Sequence, residues 1–285
     1  MSELTLRVLF AVIAAPVTIL IIFLGDAWLA SLLGIAAALA SWELYRMAGH
    51  TGVRPIAGAG IALSAAVPLV VHGHFLRVLN VPLSALALVM LGLLAIAIWA
   101  RGVEGHPLAA TAITVFGVLY IGGMLSFAYA LRYHRFSVDA LGGTALVMLP
   151  VLLTWGSDIG AYFVGRTFGR RKLIPAVSPG KTVEGAIGGL VTTMLLALAI
   201  GRFVLPEVAS LGFTTAGALL FGALISVAAQ VGDLAESLLK REAGVKDSSH
   251  LVPGHGGVFD RLDSLLFTLP LGYFLIEFLM VPAIR

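Results

Sequence analysis

The sequence predicts an all-α, polytopic integral membrane protein with about nine transmembrane helices. Three observations carry this expectation. Hydrophobic residues make up 59% of the 285 positions and charged residues only 12%, against roughly 25% charged in a soluble domain. Mean hydropathy is +1.02. The apolar residues also gather into runs long enough to cross a hydrocarbon layer about 30 Å thick. In that solvent each backbone N–H and C=O must be satisfied within the segment, which selects helices.

Taken in order, the spans are expected at about 8–24, 27–47, 56–71, 82–100, 109–131, 141–164, 183–205, 214–239 and 258–280. The first is long for a signal peptide and lacks a clear cleavage site. The third is the shortest. The 33 glycines suit close helix packing in lipid. With no cysteine there is no disulfide or thiol chemistry. A net charge of +3 is too small to argue for nucleic acid.

Nine spans put the termini on opposite sides. With the N-terminus in the cytoplasm, that side receives Arg7, Arg46, Arg54, Arg101, Arg166, Arg170, Arg171, Lys172, Lys181, Lys240, Arg241, Lys246 and Arg261. The other side receives Arg77, Arg132, Arg135, Arg202 and Arg285. The bias of 13 to 5 follows the positive-inside rule. The expected location is a multi-pass protein of the cytoplasmic membrane with its active site facing the cytoplasm.

Residues 1–135 are expected to form an N-terminal helical scaffold, and 136–285 the catalytic region. The first part is chemically quiet. Glu43 is its exception, read as an ion-pair partner of Arg46 three residues on. His72, His74, His106 and His134 lie near span ends and are read as solvated.

The sixth span is different. Asp158 stands among apolar residues and must face the bundle interior or a polar cavity. Gly156 with Gly160, and Gly165 with Gly169, make small-residue faces read as helix packing. After the basic run Arg166 to Lys172 comes Ser178-Pro179-Gly180-Lys181-Thr182-Val183-Glu184-Gly185. Ser178 to Gly180 break the chain and start a helix, whose free N–H groups with Lys181 favour an anion. Glu184 is read as capping that helix. Gly180-Lys181-Thr182 is not a P-loop, because Leu173, Ile174 and Pro175 stand where the upstream glycine belongs.

The eighth span carries Gln230, Asp233, Glu236, Ser237 and Lys240. Glu236 with Lys240 reads as an ion pair at helical spacing. A dense polar island follows. Lys240, Arg241 and Lys246 can hold phosphate oxygens, and Asp247 lies beside them. Pro253-Gly254-His255-Gly256-Gly257 cannot continue a helix, and its glycines let backbone approach a ligand. Asp260, Arg261 and Asp263 open the ninth span, with both carboxylates on one face. Carboxylates beside cations suit a divalent metal holding a polyphosphate. The residues alone therefore point to a membrane enzyme with a metal-dependent phosphate site.

These stretches resemble the phosphatidate cytidylyltransferase (CDP-diacylglycerol synthase) family. The match runs Ser237-x-x-Lys240-Arg241, Lys246-Asp247, Pro253-x-His255-Gly256-Gly257, then Asp260-Arg261-x-Asp263, with every charged position kept. Ser249 stands where the family often has Gly, and Val252 where it often has Leu or Ile. Ser178 to Gly185 resembles a second element of the family, and Asp158 with Ala161-Tyr162 a third. The motif resemblance covers about residues 150 to 265.

The resemblance implies CTP and phosphatidic acid as substrates, CDP-diacylglycerol and pyrophosphate as products, and a homodimer in lipid. It implies Mg²⁺ at Asp233 and Asp260, with a second, monovalent cation such as K⁺. Catalytic roles are expected for Asp233, Asp260, Lys240, Arg241 and Asp263. Substrate contacts are expected from Lys181, Glu184, Ser178, Asp158, Ser237, Lys246, Asp247, His255, Gly256, Gly257 and Arg261. One alternative is a cytidylyltransferase or kinase for another lipid phosphate or lipid alcohol. Another, from a different class, is a cation or proton transporter with Asp158 and Asp233 as relay carboxylates.

Overall fold

A computed structural model describes residues 3–251 and 256–282, with side chains from residue 12 onward. His255 of the glycine-rich stretch lies outside the described residues. The all-α membrane architecture is present. Among the described residues, eight helices are long and apolar enough to cross a membrane, and Val12–Leu24 forms a shorter apolar helix.

The helices are α1 (Glu3–Leu24), α2 (Asp26–His50), α3 (Ala57–Phe75), α4 (Leu83–Ala100), α5 (Pro107–Gly117), α6 (Phe127–Arg132), α7 (Ala140–Phe168), α8 (Val183–Ala199), α9 (Leu205–Ala209), α10 (Thr215–Glu242), α11 (Phe259–Leu262) and α12 (Leu265–Leu279). Two π-helical segments, Val118–Gly123 and Ile200–Val204, run on from α5 and α8. The fifth and seventh spans thus become Pro107–Arg132 and Val183–Ala209. The third span has 19 residues, so the shortest of the eight is the 18-residue α4.

Two short antiparallel pairs interrupt the helices. β1 (Lys172–Ile174) pairs with β2 (Ser178–Thr182), and β3 (Leu211–Phe213) with β4 (Met280–Pro282). The first differs from the sequence expectation of a helix starting at Ser178. Pro179 has no N–H to give a helix interior. The chain instead turns back as a hairpin, and α8 starts only at Val183, with the Thr182 hydroxyl accepting from Gly185 N–H at 3.1 Å.

The chain divides into two compact units. One comprises residues 1–129 and 239–262, the other 130–238 and 263–285. The polar island from Lys240 to Leu262 therefore belongs to the same unit as the N-terminal helices.

In the first unit α2 packs on α3 and α5 around buried Leu29, Leu33, Ala37, Leu44 and Tyr45. The Tyr45 hydroxyl donates to the Thr114 carbonyl at 2.7 Å. The Arg101 guanidinium donates to the Arg54 and Pro55 carbonyls at 2.7 and 2.5 Å. That joins the α2–α3 and α4–α5 connections on one side, as the alternation of spans requires.

In the second unit α7 lies along α8 at close range. A Cβ on Gly160 would meet Thr192 Oγ1 at 2.4 Å, and one on Gly189 would meet the Ser157 carbonyl at 2.8 Å. The small residues of the sixth span are therefore packing residues, as expected. Hydroxyl pairs tie the interior: Ser157 to Ser226 at 2.8 Å and Thr154 to Thr268 at 3.0 Å. Such bonds suit a solvent that offers buried polar groups no partner.

Candidate active site

In the second unit, a cavity of about 490 Å³ opens between α7, the β1–β2 hairpin, α8 and α10. Asp158, Lys181, Gln230 and Asp233 supply its polar lining, with Tyr162, Arg166, Gly180 and Thr182 around them. Lys181 sits on β2, not in the helix. Its Nζ lies 2.5 Å from Asp233 Oδ2. Gln230 Nε2 donates to the Ala186 carbonyl and to Ser226 Oγ, both at 3.1 Å, which fixes the amide within the helix packing. Asp158 thus lines a polar cavity, one of the two settings its sequence position allows.

Asp233 does not stand alone. Carboxylate oxygens of Asp233, Glu236 and Asp263 lie within 4.8 Å of one another, and Glu236 is only 1% exposed. Ser237 Oγ approaches Asp233 Oδ1 at 3.5 Å, and Asp263 Oδ1 accepts from Ser264 N–H at 2.6 Å. Three converging carboxylates repel unless a cation relieves them. An all-oxygen donor set of this kind fits a hard divalent cation such as Mg²⁺. Helical spacing presents Glu236 only as an ion-pair residue; Asp263, carried in at the start of α12, makes it part of a trio.

Glu184, in the first turn of α8, also reaches back along the chain. Its carboxylate accepts from Arg170 N–H at 3.0 Å and from Arg171 N–H at 3.2 Å. It ties the end of α7 to the start of α8, whose N-cap is Thr182. Ser178 begins β2 opposite Ile174.

The first unit holds the rest of the polar island. Lys240 Nζ donates to Asp260 Oδ1 at 2.9 Å, with side chains 12% and 6% exposed. Asp260 also accepts from Ser248 N–H at 3.1 Å and Gly257 N–H at 2.8 Å. Gly256 has φ +82°, a conformation open to glycine. A Cβ on Gly257 would lie 2.0 Å from Ser248 Oγ and 2.6 Å from both oxygens of Glu43. Arg241 donates to the Val245 carbonyl at 3.3 Å. Lys246 and Asp247 line a separate groove of about 560 Å³ with Trp42, Arg46 and His50. Arg261 is exposed on α11.

Glu43 is the residue that helical spacing misassigns. Spacing pairs it with Arg46, yet the Arg46 guanidinium lies over the Trp42 ring at 5.6 Å. Glu43 is fully buried and accepts from Ser248 Oγ at 3.0 Å, Ser249 Oγ at 2.5 Å, Val258 N–H at 3.0 Å and Phe259 N–H at 2.6 Å. A lone carboxylate in an apolar span is the available signal; its partners lie some 205 to 216 residues away in sequence, beyond any helical spacing.

A profile of the Cytidylyltransferase family matches residues 5–279. The chain belongs to this family. It is 35% identical over 283 residues to the phosphatidate cytidylyltransferase of Pseudomonas aeruginosa, covering 93% of each chain. It is 44% identical over 151 residues to the phosphatidate cytidylyltransferase of Haemophilus influenzae, covering 53% of this chain and 51% of that protein. It is 46% identical over 137 residues to the uncharacterized protein YnbB of Escherichia coli, covering 48% and 44%. The matches to these last two span about half the length of each relative. The family profile reaches from the first helix to the last, so it includes the quiet N-terminal half that the sequence motifs leave out.

Proposed function

We propose that the protein is a phosphatidate cytidylyltransferase, joining CTP and phosphatidic acid to give CDP-diacylglycerol and pyrophosphate. One observation carries the reading furthest: Lys181 on Asp233 in a polar cavity, beside a trio of carboxylates, in a chain matching a phosphatidate cytidylyltransferase over 93% of its length. A transporter needs a path of carboxylates through the membrane; here Asp233 is paired with Lys181 and Asp260 with Lys240, and charge gathers in the polar island.

The lipid phosphate is the nucleophile. Its oxygen attacks the α-phosphorus of CTP, and the bond from that phosphorus to the β-phosphate oxygen breaks, releasing pyrophosphate. A phosphate monoester with a second pKa near about 6 is already largely anionic at neutral pH. No strong general base is needed, and catalysis rests on positioning and charge neutralisation. Lys181 exchanges its Asp233 partner for phosphate oxygens. Lys240 and Arg241 supply cations in the polar island. Asp233, with Glu236 and Asp263, would hold Mg²⁺, which when bound supplies charge neutralisation at phosphate oxygens. The sharing of that ion with Asp260, and a second ion such as K⁺, rest on the resemblance alone.

The cytoplasmic placement of the site, in a bacterial inner membrane, rests on the cationic bias. A homodimer rests on the resemblance. The deciding experiment is transfer of label from α-³²P-CTP into lipid by the purified protein, with reporter fusions in the 170–180 loop checking the side. Phosphatidic acid as the preferred acceptor supports the reading. Preference for a polyprenyl phosphate or a lipid alcohol favours the related alternative, and no CTP-dependent transfer to any lipid overturns it.

A further inference from the structure

The first unit contains a buried carboxylate that the proposed reaction does not use. Glu43 stands near the end of α2 with no exposed surface. An ionised carboxylate is acceptor-only and has about four lone-pair sites. Glu43 meets four donors, all neutral: two hydroxyls from Ser248 and Ser249, and two backbone N–H groups from Val258 and Phe259. A buried carboxylate is tolerable only when its hydrogen-bonding capacity is filled in this way.

The donors are not scattered. They come from the two ends of the segment 248–259, which encloses the glycine-rich stretch. Asp260, the next residue, grips the same two places: it accepts from Ser248 N–H and Gly257 N–H. Ser248 is therefore held by both carboxylates, by its hydroxyl to Glu43 and its N–H to Asp260. Gly257 has no room for a Cβ because the Glu43 oxygens and Ser248 Oγ occupy that space. Ser249 adds the shortest of the four bonds at 2.5 Å.

We infer that Glu43 is a positioning residue. It clasps both ends of the 248–259 segment and so fixes the Lys240–Asp260 pair in its working geometry. The N-terminal half is thereby more than scaffold: α2 sets the shape of the polar island. The kinetic part of the inference rests on the proposed cytidylyltransferase activity; the clasp itself does not.

The test compares wild type with Glu43→Gln in the full-length protein in detergent. The amide keeps the volume but presents an NH₂ where the backbone N–H of Val258 or Phe259 donates. Misplacing reacting groups by about 1 Å can lower rates about 10²-fold, so turnover should fall by roughly that factor while the apparent KM for CTP changes by less than about threefold. Amide exchange measured by mass spectrometry should rise at least about tenfold across 245–260 while 183–199 stays protected. A merely structural role would raise exchange throughout or lower turnover only in step with the folded fraction. Turnover within about threefold of wild type, or exchange that rises no more at 245–260 than elsewhere, overturns the inference. Should Glu43→Gln fail to fold, Ser248→Ala removes one donor and leaves the carboxylate; unchanged exchange and unchanged turnover in that variant overturn it equally. A wild type without CTP-dependent activity would sink the proposed function, and the exchange comparison would still decide the clasp.

Discussion

Two acidic regions of this protein use carboxylates in opposite ways. In the second unit, Asp233, Glu236 and Asp263 crowd within 4.8 Å of one another, and Asp233 also faces a cavity of about 490 Å³ and the Lys181 ammonium. Their mutual repulsion is of the kind that a bound cation would relieve. In the first unit, Glu43 and Asp260 are filled by hydroxyl, backbone and Lys240 donors. Their capacity is spent on holding a loop. The two regions therefore divide by setting: Asp233, Glu236 and Asp263 crowd together with Asp233 beside open space, which suits a ligand, whereas Glu43 and Asp260 are filled by donors from the chain around them, which suits geometry.

The sharpest break of this comparison removes charge from one carboxylate in each region. Asp233→Asn, and likewise Asp260→Asn through its Lys240 pair, should lower label transfer by at least about 10³-fold with the protein still folded. Lys181→Ala should reduce it by about 10²-fold. EDTA should silence the wild type and Mg²⁺ restore it. Full activity in EDTA would show that the carboxylate trio holds no essential metal.

A second measurement sharpens the geometric side. Gly257→Ala places a methyl group 2.0 Å from Ser248 Oγ, which neither the hydroxyl nor the buried Glu43 can accommodate without loop movement. It should cost about 2 kcal/mol or more in stability and lower activity strongly. Gly92→Ala, on the largely exposed helix α4, meets nothing within 4 Å and should be neutral or stabilising by up to about 1 kcal/mol. Equal melting temperatures for the two variants would mean that the Glu43 loop tolerates expansion.

The smallest effect lies away from both regions. His134 is buried between α6 and α7, and burial holds its pKa below the usual 6.5, against the opposing pull of Glu277, whose carboxylate lies 3.2 Å away. A histidine whose folded pKa is lowered binds fewer protons folded than unfolded. Stability should therefore be full above the ordinary pKa and decline as pH falls below about 6.5. Melting curves of His134→Gln against wild type check the sign: the variant should lose less stability on acidification.

Much of this protein is legible in its sequence for a simple reason. In lipid, apolar length dictates helices, and the expected spans agree with the helices to within a few residues, from 27–47 against Asp26–His50 to 214–239 against Thr215–Glu242. Local spacing also announces the charged island and the packing glycines of α7. The β1–β2 hairpin is hidden because Pro179-Gly180 marks a break that suits a strand turn and a helix start equally. Glu184 is ambiguous for a similar reason: a carboxylate in a first helical turn has the composition of a cap whether or not it bonds as one.

Only the tertiary structure decides the partnership of each carboxylate. Glu43 and Arg46 sit one helical turn apart, and sequence reasoning pairs them. Burial decides otherwise, because α2 carries Glu43 away from water and toward four neutral donors in residues 248–259. Asp263 likewise meets Asp233 and Glu236, neighbours on one face of α10, only because the fold brings it to the same point. Periodicity reports which residues share a face of one helix; hydrogen bonds between distant segments depend on which faces meet, and that is a property of the folded chain.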